Sequence, residues 1–161
     1  MIDGVKLAPL ITHRDQRGFF REIFRFSESD SELSVGQLSH SLVEQGVVKG
    51  WHGHVYQSQW NYVVTGRIRV GLYDHREVSP THNTPMEFLV GDGEQPLAYF
   101  FPPGVMHGYE CVAGPLHIIY VTSGVYDPED ELRIPLDDLP HPGFSQARGA
   151  SEGPGNPPVA S

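Results

Sequence analysis

The sequence predicts an all-β domain, a sandwich or jelly roll whose interior forms the natural ligand site, and two observations predict it. The first is punctuation: glycine and proline together make 32 of 161 residues, about one in five against an average near 12%. The second is pattern. Short β-rich runs follow one another between turn clusters, with no helical crossover segments separating them. Regularly spaced strands without crossover helices are the mark of sandwiches and jelly rolls.

The elements follow in order. Residues 18–24 alternate as a strand after the Asp15-Gln16-Arg17-Gly18 turn. Residues 36–42, 60–64, 67–73, 97–101 and 116–122 read as further strands, and 67–73 has the cleanest period of two. Thr65-Gly66 is expected to supply a tight turn between two of them. The one helical candidate is residues 29–33, short and acidic. From Pro140 the chain holds five prolines, four glycines and almost nothing to bury. A folded domain over residues 1–139 is therefore expected, followed by a disordered Gly/Pro-rich tail over 140–161, with docking near Phe144 left open.

Composition bounds the function. No apolar run is long enough to span a membrane, and the N-terminus lacks a charged region followed by an apolar stretch, so no signal peptide is expected. The single cysteine, Cys111, excludes an internal disulfide and fits a reducing, cytoplasmic setting. A formal charge of −9 removes the basic footprint that nucleic acid requires.

The chemistry-bearing stretch runs from Gly46 through His52, His54 and Gln59 to Gly66, in the spacing G-x5-H-x-H-x4-Q-x6-G. Period two puts His52 and His54 on one face of one strand. Gln59, after a hairpin, can point into the same cavity. Pro102-Pro103-Gly104-Val105-Met106-His107 then delivers a third imidazole. Together these resemble the two signatures of the cupin superfamily, with Gln59 where Glu is usual. Three imidazoles and one neutral oxygen donor (His52, His54, Gln59 and His107) could hold one divalent metal ion. The same groups could instead line a cavity for an organic ligand.

Further blocks narrow the resemblance. Asp15-Gln16-Arg17-Gly18-Phe19-Phe20-Arg21-Glu22, Gln37-Leu38-Ser39-His40-Ser41, Gly46 to His52, Ser79-Pro80-Thr81, Pro102 to Gly108, Tyr120 and Tyr126-Asp127-Pro128-Glu129-Asp130-Glu131 occur in that order. They resemble the dTDP-4-dehydrorhamnose 3,5-epimerases, cupin-fold enzymes of sugar nucleotides. The resemblance implies His52 as catalytic base, Tyr120 as general acid, and Asp138 as the carboxylate that orients the base. It implies substrate contacts for Arg17, Phe19, Glu22, Gln37, Lys49 and His107, the first three reaching the nucleotide base of a neighbouring subunit in a homodimer. Arg17 and Glu22 could equally be an ion pair along an edge strand. No cofactor is implied.

The chemistry is coherent. A 4-keto sugar has acidified protons at C3 and C5, because abstraction there gives an enolate. A histidine is a suitable base near neutrality, a tyrosine on the opposite face returns the proton, and the enolate oxygen needs a donor or cation. Gln59 stands where the family carries a lysine beside that oxygen; a protonated His54 or a metal could substitute. Besides an epimerase on a nucleotide-linked 4-keto-6-deoxy sugar, two alternatives stay open. One is a metal-dependent cupin oxygenase, isomerase or lyase on a small organic substrate. The other is a non-catalytic sugar-nucleotide-binding module.

Overall fold

The computed structural model describes residues 1–26, 35–141 and 143–144. The expected helix at 29–33 and most of the expected tail lie outside them. Ten strands form: β1 (Lys6–Pro9), β2 (Thr12–Asp15), β3 (Gly18–Arg21), β4 (Gln37–Val43), β5 (Val48–His54), β6 (Gln59–Asp74), β7 (Pro85–Gly91), β8 (Leu97–Phe101), β9 (Val105–Thr122) and β10 (Glu131–Arg133). A single 3-10 turn, Leu136–Asp138, completes the described residues. No helix among them is long and apolar enough to cross a membrane.

Two long strands organise the rest. The first half of β6 pairs with β8 and with the second half of β9, which also pairs with β4; β1 extends this sheet beyond β8. The second half of β6 pairs with β7 and with the first half of β9, which pairs with β5, and β10 lies beyond β5. All pairings are antiparallel, so β6 and β9 each pass from one sheet into the other. This is the expected jelly roll, with strands switching sheets at a bulged corner.

That corner corrects the reading of Thr65-Gly66 as a turn. β6 runs unbroken through both residues, and the β6–β9 register shifts between Val63 and Ile68 instead. Gly66 has φ +84°, and a Cβ there would meet Ala113 O at 2.8 Å and Leu116 Cα at 2.9 Å. Glycine is required because two backbones touch at positive φ. The β2–β3 hairpin forms a separate two-stranded sheet, and β3 ends at Arg21 rather than continuing to residue 24.

Between the sheets lies the main core, which includes Ile68, Val70, Leu72, Tyr99, Phe101, Cys111, Leu116 and Ile118. A second cluster on the outer side of β5 joins Trp51, Tyr73 and Met106 to Leu132, Ile134 and Leu136. Phe144 closes this cluster at 4% exposure, its ring 6.4 Å from that of Trp51, so the chain docks here past position 139.

Candidate active site

The site begins with a β-bulge. On β5 Lys49 stands opposite Tyr109 of β9, and His52 stands opposite His107. Three steps along β5 therefore match two along β9, so one extra residue is inserted. Residues directly opposite share a face. Lys49 and His52, which an unbroken pleat would send to opposite faces, both join Tyr109 and His107 on the inner face. His54 follows His52 at period two, as expected.

The three imidazoles gather around His107. Its ring lies 6.3 Å from that of His52, 6.0 Å from that of His54, and stacks on Phe101 at 4.3 Å. Burial, reinforced by the charges of His54 and His52, pushes its pKa well below the ordinary value. His107 is therefore a neutral imidazole, not a cation. His52 is also lowered, first by burial and then by the Arg133 charge, with Lys49 and His54 adding to it and Glu131 opposing. It is thus held as the free imidazole near neutrality, the form a base needs. Burial likewise lowers Lys49.

His54 carries the carboxylate partner. Its Nδ1 lies 3.0 Å from Oδ2 of Asp130, which is 2% exposed, and Asp130 Oδ1 accepts the Tyr56 N–H at 2.6 Å. The Gly104 N–H donates to the His54 carbonyl at 2.7 Å, tying the turn before β9 to β5. Asp138, expected to orient the base, sits exposed in the 3-10 turn that packs Leu136 under Gly50. The turn covers the outer face of β5, where Leu136 packs with Trp51.

The opposite wall comes from the other sheet. Gln59 does not follow a hairpin, because β5 pairs with β9 and β10 and not with β6. Residues 55–58 instead cross between sheets, so Gln59 enters from the other sheet, opposite Phe101, whose ring stacks on His107. It is 7% exposed and donates Nε2–H to Oδ1 of Asn61, itself 3% exposed, at 2.6 Å. Asn61 stands directly opposite Tyr120, whose Oη lies 3.3 Å from Ser41 Oγ. Burial and the neighbouring Tyr120 raise the Tyr109 hydroxyl above the usual phenol range. Gln37, at the rim, donates to Ser39 Oγ at 2.9 Å and accepts the Tyr126 N–H at 3.0 Å.

Arg17, Phe19 and Glu22 do not reach this interior. Arg17 pairs with Asp15, and Glu22 with Arg25 at 2.9 Å, so the alternative Arg17–Glu22 ion pair does not form. Phe19 is 56% exposed between the guanidinium groups of Arg14 and Arg21. The alternative metal set does not fit either. Among the described residues no three His, Cys, Asp or Glu side chains converge on a possible ion. Gln59, the fourth member of that set, turns its amide to Asn61.

Two residues escaped the sequence reading. Asp130 lies within a quoted block but carries no spacing cue toward His54. Asn61 was within reach, since period two from Gln59 points to it.

Comparisons with known proteins bear on the same residues. A family model described as dTDP-4-dehydrorhamnose 3,5-epimerase matches residues 1–141. The spore coat polysaccharide biosynthesis protein SpsL of Bacillus subtilis (strain 168) is 43% identical over 141 residues, which are 86% of this chain and 92% of that protein. A probable low-salt glycan biosynthesis epimerase, Agl13 of Haloferax volcanii, is 35% identical across 84% of this chain and 89% of its own. Among solved structures, a dTDP sugar isomerase from Desulfovibrio desulfuricans G20 superposes with TM-score 0.77 at 26% identity, covering 84% of this chain and 87% of that one. An epimerase from Legionella pneumophila Philadelphia 1, solved in complex with dTDP-4-keto-L-rhamnose, gives TM-score 0.73 at 27% identity over 83% and 73%.

Proposed function

This chain belongs to the dTDP-4-dehydrorhamnose 3,5-epimerase family, and on that premise we propose how its own residues divide the reaction. It is an enzyme, an epimerase acting on a dTDP-linked keto-deoxy sugar. The substrate is a 4-keto-6-deoxy sugar, its ring held between the two sheets. An imidazole nitrogen of His52 removes the proton from a carbon next to the ketone. The C–H electron pair moves into the ring carbon–C4 bond, and the C4 carbonyl pair moves onto oxygen, giving an enolate. Tyr120, on the opposite sheet, delivers its hydroxyl proton to the other face of that carbon. The enolate collapses to the ketone with the centre inverted, leaving imidazolium and phenolate to exchange protons with water. No oxidation state changes, so this route calls on no cofactor.

The observation that carries this reading is the β5 bulge, which turns both Lys49 and His52 inward across from the Tyr120 wall. Lys49 meets the diphosphate, and Gln37 and His107 hold the sugar. His54 is positioned by Asp130 beside His107. Arg17 and Phe19 stand on the exposed β2–β3 hairpin and Glu22 just after it, outside the interior between the sheets, which supports a homodimer in which they reach the neighbouring subunit's nucleotide. The nucleotide-sugar substrate and the lone buried thiol fit a cytoplasmic enzyme.

The test is incubation with dTDP-4-keto-6-deoxyglucose in deuterated water, following C3 and C5 by NMR. Deuterium entry with inversion is expected. A folded protein that binds the nucleotide sugar without any exchange would instead be a binding module.

A further inference from the structure

The geometry points to Asn61 as a catalytic residue: its buried side-chain amide is the donor that stabilises the enolate oxygen, in place of the cation that Gln59 lacks. This rests on the epimerase reading above. Asn61 is 3% exposed, and its Nδ2 is buried with no hydrogen-bond partner. A buried amide nitrogen left unpaired bears its full desolvation cost, and such groups in native structures call for an explanation. Its surroundings supply one. Asn61 Oδ1 is fixed by Gln59 Nε2 at 2.6 Å, so the carboxamide plane cannot swing freely. Register places Asn61 directly opposite Tyr120 on one side and Tyr99 on the other, on the face that looks into the interior.

The donor count of the pair is the same whichever way the two amides are turned. Gln59 and Asn61 together carry four N–H bonds and two carbonyl oxygens. One hydrogen bond between them consumes one donor, whichever residue supplies it. At least one further N–H remains for a ligand oxygen, next to the proton-returning Tyr120. In the deprotonation step the N–H bond is not broken. The amide donates to O4 as charge grows there and relaxes when the ketone reforms, which is how a fixed dipole in a dry site lowers a barrier.

The test uses the full chain and the dTDP-4-keto-6-deoxyglucose exchange assay. Asn61→Leu, which keeps volume and removes the donor, is expected to lower kcat by about 10²–10³-fold while KM stays within about threefold. Adding Gln59→Lys to Asn61→Leu should restore at least tenfold of that loss, because an ammonium can serve the same oxygen. If Asn61→Leu does not fold, Asn61→Asp is measured the same way, since it is isosteric and cannot donate when ionised. A folded variant with kcat within about threefold of wild type overturns the inference, as does a loss of kcat matched by a loss of dTDP affinity. If wild type itself shows no exchange, the epimerase reading fails first, which is a separate result.

Discussion

Lys49 and His52 lie three residues apart on one strand and share its inner face, because one extra residue bulges β5 between their partners Tyr109 and His107. The cation beside the base contributes to holding His52 neutral, after burial and Arg133. The insertion thus adds to the electrostatics of the base as well as setting its geometry.

This has a consequence for pH. The folded His52 pKa lies below its ordinary value of 6.5, so the base loses activity only as pH falls through that lowered value. The acid limb of kcat/KM, which reports the free enzyme, is expected below pH 6.5. Arg133→Gln removes a positive neighbour and frees Glu131, its partner at 2.9 Å, to act on the imidazole. Both changes favour protonation, so the limb should move to higher pH. Rate profiles of the two proteins measure it.

Substitutions at the two proton-handling groups should separate. His52→Asn is expected to remove both inversion and solvent exchange, by about 10²–10⁴-fold for loss of a general base. Tyr120→Phe leaves the base in place. It should lose inversion by a similar factor while His52 still returns deuterium to the face it deprotonates. Exchange without epimerisation, seen by NMR, is the signature.

Asp130→Ala should cost stability as well as activity. It strands the Tyr56 N–H and removes the partner of His54 Nδ1. Two lost partners of a buried carboxylate predict a loss of about 2–4 kcal/mol, readable by urea unfolding. Asp138→Ala, at an exposed position in the turn, should stay within about 0.5 kcal/mol and leave the acid limb of the rate profile unmoved.

A second buried carboxylate governs acid stability. Burial alone would raise Asp74, but Arg76, Ser79 and Thr81 all donate to it and hold its pKa well below the usual carboxylate range. A depressed folded pKa gives stability that is complete above the unfolded value near 3.9 and is lost as pH falls from there through the folded one. Asp74→Asn is expected to cost about 3–5 kcal/mol at pH 7. Its unfolding free energy should then fall less steeply than wild type's between pH 5 and 2.

Local periodicity carried much of the fold. Residues 97–101 match β8 to the residue, and 67–73 and 116–122 are the later halves of two long strands. Where it failed, a long-range contact had overridden a local cue. Thr65-Gly66 has the composition of a turn, yet glycine is there because Ala113 and Leu116 press against it. Asp138 fits a family pattern, yet the carboxylate that reaches an imidazole is Asp130, which β10 pairing beside His54 brings into place.

By itself the sequence determined the β class, the positions of His52, His54, His107 and Tyr120, and the family to which they belong. The β class follows from periodicity, which is local, and the rest from the resemblance of the ordered blocks. Only the tertiary structure decided that Lys49 and His52 face the same way, that Gln59 enters from the other sheet, and that Asn61 keeps an unpaired donor beside Tyr120. Each depends on the register between distant strands. One inserted residue reverses a side chain's face, and no period read along a single strand reports what its partner strand has done.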